Sequence, residues 1–174
     1  GFAEQVDLVG PEKMLPVVQQ LFSAIVDALY EREGVIIEYG LLGLTAVFGA
    51  PIKLEETTAA DLATASGLRL VGKLNDMADQ WGIEGMPIHI DLRAGVSSGP
   101  AMVGSFGPPD RPVFSALGPY VSLARKLALQ GEVGEVVVDS TTRTLLAERL
   151  ATRSIGAVEV QGLDYPIFAY AAQG

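Results

Sequence analysis

The stretch EYGLLGLTAVFGAP, Glu38 to Pro51, constrains the fold more than any other part of the chain. With the preceding VIIEYG it reads as a short strand, a tight glycine turn and a second strand, rich in β-branched and aromatic residues. Hairpin tips are normally polar or glycine-rich, because that is where turn chemistry and water both act. This tip carries Leu41 and Leu42 instead. Something therefore covers it: another part of the same chain, or a dry cleft against a second chain. Two apolar side chains leaving water contribute about 3–6 kcal/mol before ordering costs.

The rest of the chain sets the bounds on that choice. Its 174 residues make one ordinary domain, read as 1–174, long enough to bury a real core. Hydrophobic residues are 49% and charged residues 19%, which fits a globular chain and excludes a disordered one. A net charge of -9 argues against nucleic acid as a partner, since phosphate binding needs a basic footprint. It argues equally against an anionic membrane surface. With no cysteine there is no disulfide framework, no thiolate metal site and no cysteine nucleophile. No apolar run approaches the roughly 18 residues of a membrane span, and GFAEQVDLVG lacks the features of a signal peptide. A cytoplasmic domain without membrane insertion is expected.

Along the chain, Leu15, Val18, Phe22, Ile25 and Leu29 form one stripe of an amphipathic helix over Pro11 to Glu33, with Pro16 expected near its first turn. Thr57 or Thr58 caps a second helix, striped by Leu70, Leu74, Met77 and Trp81. MPIHIDLRAGVSSG reads as a strand, with His89, Asp91 and Arg93 alternating against Ile88, Ile90 and Leu92, and PAMVGSFG as a shorter one. Gly118-Pro119 opens a third helix, where proline's missing N–H costs nothing. EVVVD is a strand, STTRTLLAERL a short helix, and closing strands lie around AVEVQ and PIFAYAA. Helices and strands mix without strict alternation, which favours α+β over a doubly wound sheet.

Four stretches in this order resemble the class III nucleotidyl cyclase catalytic domain, the family of adenylyl and guanylyl cyclases. LTAVFGAP looks like the hairpin strand of bacterial members, and LRAGVSSGPAMVGSFG like their central strand pair. FSALGPYVSLARKL is similar to the run into the family's dimer-arm helix, and GEVVVDSTTRTLL to the strand and helix after it. The resemblance implies a ferredoxin-like cyclase fold, mostly antiparallel with flanking helices, and a head-to-tail homodimer or heterodimer with composite sites. Gly1-Phe2 resembles the end of the family's first strand-and-turn motif, so that strand and its first metal aspartate are expected upstream, in a larger parent protein.

In the family, two aspartates hold two metal ions, a lysine and an acidic or hydroxyl residue read the purine, an asparagine and an arginine position the ribose and phosphates, and a late lysine holds the terminal phosphates. By resemblance the second metal aspartate is Leu42 here, beside Leu41, and leucine offers a hard cation no oxygen. The purine lysine is Glu38, a reversal of charge, and its partner is Ser115. The asparagine is Ser122, the arginine Lys126, which lacks the bidentate fork, and the late lysine Gln161. The aspartate that often opens the dimer-arm helix is Pro119.

These substitutions lead to the expectation of a pseudocyclase: not an enzyme, with no catalytic residue, no bound metal and no cofactor, serving dimerisation or signal relay. Two alternatives stand beside it. One is a metal-free sensor for a nucleotide or smaller molecule, using Ser115, Ser122 and Lys126. The other, ranked weaker, is an active cyclase half-site in a heterodimer. Plainer readings apply elsewhere: Glu38 and Lys126 as solvated charges, His89, Asp91 and Arg93 as one polar strand face, and the glycines as turns and bulges. Ser97-Ser98 has no histidine and acid partners to make a nucleophile.

Overall fold

A computed structural model describes residues 2–40, 43–86, 88–159 and 165–174. Two helices, α1 (Phe2–Val9) and α2 (Pro11–Tyr30), lead into a hairpin of β1 (Val35–Gly40) and β2 (Gly43–Val47). The long α3 (Glu56–Ile83) follows, then the short strand β3 (Ala94–Val96) and a second hairpin, β4 (Met102–Phe106) and β5 (Val113–Leu117). The chain closes with α4 (Pro119–Ala128), β6 (Val136–Asp139), α5 (Ser140–Leu146), β7 (Ala151–Val158) and β8 (Ile167–Gln173).

The architecture is α+β, as expected. Its main sheet runs β3-β6-β8-β7, antiparallel except for the parallel β3–β6 pair, and each hairpin forms its own two-stranded ribbon. β6 lies inside the sheet, and Val136, Val137 and Val138 are wholly buried. Neighbouring strand residues point to opposite faces, so Val136 and Val138 pack with Ala60 and Leu146 on the α3 and α5 side. Val137 packs with Leu123 and Leu127 of α4 on the other. A strand covered on both faces reads as a continuous apolar run, which is why EVVVD was legible.

α2 and α3 meet through Ile25, Ala28, Leu29, Leu70 and Leu74. The expected stripe holds in the second half of α2, where Ile25 and Leu29 are buried, and fails at its start, where Met14 and Val17 are inside and Leu15 is exposed. Pro16 falls beyond the first turn of α2, which starts five positions earlier at Pro11. The second helix begins at Glu56 with no side-chain cap, so neither threonine has the capping role expected of it. Trp81 is buried with Met14, Val17 and Ile88, and its indole N–H donates to Gln20 Oε1 at 2.9 Å.

Two further expectations change. Among the described residues of MPIHIDLRAGVSSG, only Ala94–Val96 pairs as a strand. His89 and Asp91 are exposed and Ile88 is buried, so the alternation is real. The hydrogen-bonding partner at His89, however, is the Gln5 side chain, which accepts from its N–H at 2.8 Å and donates to its carbonyl. The segment Val113–Leu117, not expected as a strand, is β5 and pairs with β4. Among the described residues, no helix is long and apolar enough to cross a membrane.

Candidate active site

Three pieces of backbone bring the sequence-predicted residues together. On β1 the pairing register slips between Ile36 and Glu38, so one extra residue, the buried Ile37, is accommodated in the strand. Such a bulge re-aims the residues after it. Glu38 emerges exposed, directly across from Thr45 of β2.

β1 packs against β5, which carries Ser115. In the second hairpin Ser115 lies opposite Gly104, Met102 opposite Leu117, and Phe106 opposite Val113. Directly paired residues share a face, so Ser115 shares one with Met102, Leu117 and Val113, all exposed apolar side chains. Nothing lies within 4 Å of where a Gly104 Cβ would stand. The half-buried Ser115 hydroxyl thus borders a flat, open surface walled by apolar groups.

α4 supplies the third piece. Gly118, at φ 155°, takes a conformation that a Cβ would strain, and Pro119 follows at the first helical position. Leu123 and Leu127 anchor the helix in the core. Ser122 and Lys126, four apart, share a helix face; Ser122 is exposed and Lys126 half-buried. Gly95 of β3 fixes the height of α4: a Cβ there would fall on the Ala124 carbonyl oxygen.

One residue that the sequence did not single out ties these pieces together. Arg125 pairs through a terminal guanidinium nitrogen with Glu38 Oε2, and its Nε donates to Thr45 Oγ1 at 3.1 Å. The signal was thin: an arginine beside Lys126, 87 positions from its acidic partner.

Leu41, Leu42 and Gln161 lie outside the described residues. Glu38 is the acidic residue on the two strands of the first hairpin, and Arg125 is on it. Among the described residues, no three histidines, cysteines or carboxylates cluster to hold a metal ion. The described strands of this hairpin thus offer a divalent cation one carboxylate, where such ions take several oxygen ligands each.

Ser97 and Ser98 have a structural use. Ser97 Oγ donates to Asp139 Oδ2 at 2.8 Å, and the Ser98 and Thr142 hydroxyls share a hydrogen bond of 2.8 Å. The buried Asp139 also caps α5, accepting from the Thr142 N–H at 2.7 Å.

The family model for the adenylate and guanylate cyclase catalytic domain matches residues 1–172. The chain belongs to the adenylate and guanylate cyclase catalytic-domain family. It is 22% identical over 166 residues to adenylate cyclase 1 of Rhizobium meliloti, covering 94% of this chain but only 24% of that protein. The chain therefore spans about a quarter of the curated relative it matches. Its fold is similar to that of the adenylyl cyclase CyaB from P. aeruginosa (22% identity, TM-score 0.94, covering 100% of this chain and 89% of that one). The guanylyl cyclase Cya2 is similar at 23% identity and TM-score 0.87, covering 100% and 87%. A guanylyl cyclase domain of Blastocladiella emersonii, described as dimeric, matches at 15% identity and TM-score 0.74, covering 95% and 85%.

These matches correct the expectation that the chain is not an enzyme. The cyclase family is defined by a catalytic domain, and the relatives are named as adenylyl or guanylyl cyclases, which points to an enzyme. The expectation rested on site positions read one by one from the resemblance, and three of them, Leu41, Leu42 and Gln161, lie outside the described residues.

Proposed function

We propose that this cyclase-family domain is the nucleotide-reading half of a composite site that converts a nucleoside triphosphate to its 3′,5′-cyclic nucleotide and pyrophosphate, with guanine as the preferred base. The carboxylates for cations belong, in this reading, to a second chain in a head-to-tail dimer. The observation that carries the proposal is the contact of β1 with β5, which brings the Glu38 and Ser115 strands together beside α4.

The polarity of the pair decides the base. A carboxylate only accepts hydrogen bonds, whereas a lysine only donates them. Guanine offers two donors side by side, N1–H and the exocyclic N2–H, which match the two oxygens of Glu38. Adenine presents an acceptor at N1 and gives a carboxylate nothing to bind there. Charge-assisted pairing of this kind is short and strong, and each good bidentate contact discriminates by about 1–3 kcal/mol. Ser115 both donates and accepts and adds one contact to the base edge. The flat surface over Gly104 gives a planar ring room to lie. Ser122 and Lys126 follow on α4 toward the ribose and phosphates, Lys126 as a point charge.

The test is product formation by the full-length protein isolated with its natural partners and supplied with GTP or ATP. Cyclic GMP in excess is expected. More cyclic AMP than cyclic GMP, or no cyclic product from either, would overturn the proposal.

A further inference from the structure

Arg125 sits one position before Lys126, on the side of α4 that faces the first hairpin. Its guanidinium reaches both strands of that hairpin at once, pairing with Glu38 on β1 and donating from Nε to Thr45 Oγ1 on β2. Glu38 and Thr45 are direct cross-strand partners, so the planar fork spans one rung of the ribbon.

The Arg125 and Glu38 side chains are 52% and 56% exposed. An ion pair so open to water contributes little to stability. Its geometry is more informative. A glutamate side chain on an open strand samples many rotamers, and each disordered rotor weakens a base contact by the entropy lost on ordering it. Arg125 engages Oε2, while a carboxylate has acceptor capacity on both oxygens. The fork therefore holds the carboxylate in one orientation without exhausting it. The arginine also offsets a negative charge that would otherwise oppose a polyanionic triphosphate.

We infer that Arg125 is a positioning residue for base selection: it orients Glu38 from α4 and couples the base-reading strand to the helix that carries Ser122 and Lys126. This inference rests on the guanine-selecting role of Glu38 proposed above. Thr45 is the second anchor, fixing the guanidinium plane through Nε.

The experiment measures the affinity of the full-length protein, by titration calorimetry, for a non-cyclisable GTP analogue and the matching ATP analogue. Wild type is compared with Arg125→Ala, Arg125→Lys and Thr45→Val. The wild type prefers the guanine analogue, and Arg125→Ala lowers that preference roughly tenfold, the scale of one bidentate base contact. Arg125→Lys restores part of it, because the charge returns without the fork. Thr45→Val leaves the ion pair intact and gives an intermediate preference, so it reports even where Arg125→Ala does not fold. A wild type with no guanine preference overturns the Glu38 reading and this inference with it. A wild-type preference that survives in Arg125→Ala, or an equal loss of affinity for both analogues, overturns the role of Arg125 alone.

Discussion

Replacing Gly95 by alanine tests how α4 is held over the sheet. Gly95 lies in β3, paired in register with Val137, directly beneath the helix. A Cβ at this position would land on the Ala124 carbonyl oxygen and stand 2.5 Å from the Ala128 backbone nitrogen. Both are main-chain atoms inside a helix, so no rotamer change gives relief and α4 must lift as a body. Lifting it opens a gap along Leu123 and Leu127 where they pack on Val137 and Ala169. A gap of about 0.5–1 Å forfeits a quarter to a half of the dispersion well at each contact. Overpacking typically costs about 1–3 kcal/mol, and a rigid clash belongs at the upper end, about 3 kcal/mol. For a domain of this size each kcal/mol moves the melting temperature by roughly 2–4 °C, so a fall of about 6–12 °C is expected.

The matched control is Gly72→Ala in the exposed interior of α3, where nothing lies within 4 Å of the added methyl. There alanine should stabilise by about 0.5–1 kcal/mol through helix propensity. Thermal unfolding by circular dichroism reads both variants, and Gly95→Ala should also weaken nucleotide binding, because α4 carries Ser122, Arg125 and Lys126. If Gly95→Ala melts within about 2 °C of wild type, the close packing of β3 on α4 is wrong and the reasoning fails.

Three other perturbations have defined outcomes. Gln20→Ala leaves the indole N–H of the buried Trp81 without its acceptor and should cost about 1–3 kcal/mol in urea titrations; the sole tryptophan is its own fluorescence probe. Asp139→Ala removes the cap of α5 and the acceptor of Ser97, so a loss of about 1–2 kcal/mol is expected, against almost none for Asp61→Ala on an exposed turn of α3. The Glu132 backbone N–H, with help from the Arg153 guanidinium, holds the Glu135 carboxyl below its ordinary value of 4.5. A depressed folded-state value means stability present above the unfolded-state pKa and lost as pH falls through the folded one. Glu135→Gln should therefore flatten the decline in melting temperature below about pH 4.5, the upper end of the window; an unchanged acid limb would refute the linkage.

Much of this protein was legible in its sequence because the relevant forces are local. The 3.6-residue stripe of α3 needs only its own periodicity, and Leu70, Leu74 and Trp81 are buried where it places them. Proline at the start of α4 and the apolar run of β6 likewise act through backbone geometry and desolvation within a few residues. The resemblance to the cyclase family also named Glu38, Ser115, Ser122 and Lys126 as one set, although their strands and helix meet only in the folded chain.

What only the tertiary structure decided depends on groups far apart in the chain. The buried face at the start of α2 follows from where Trp81 and Ile88 sit, since Met14 and Val17 pack on them and the patterned Leu15 is left outside. The segment around His89 lost its expected strand because a glutamine from α1 satisfies its backbone. Arg125 became part of the candidate site only when α4 was laid across the first hairpin, bringing Glu38 and Thr45 within reach. Periodicity records which face of an element seeks burial, whereas the partner across a contact is chosen by the packing of the whole domain.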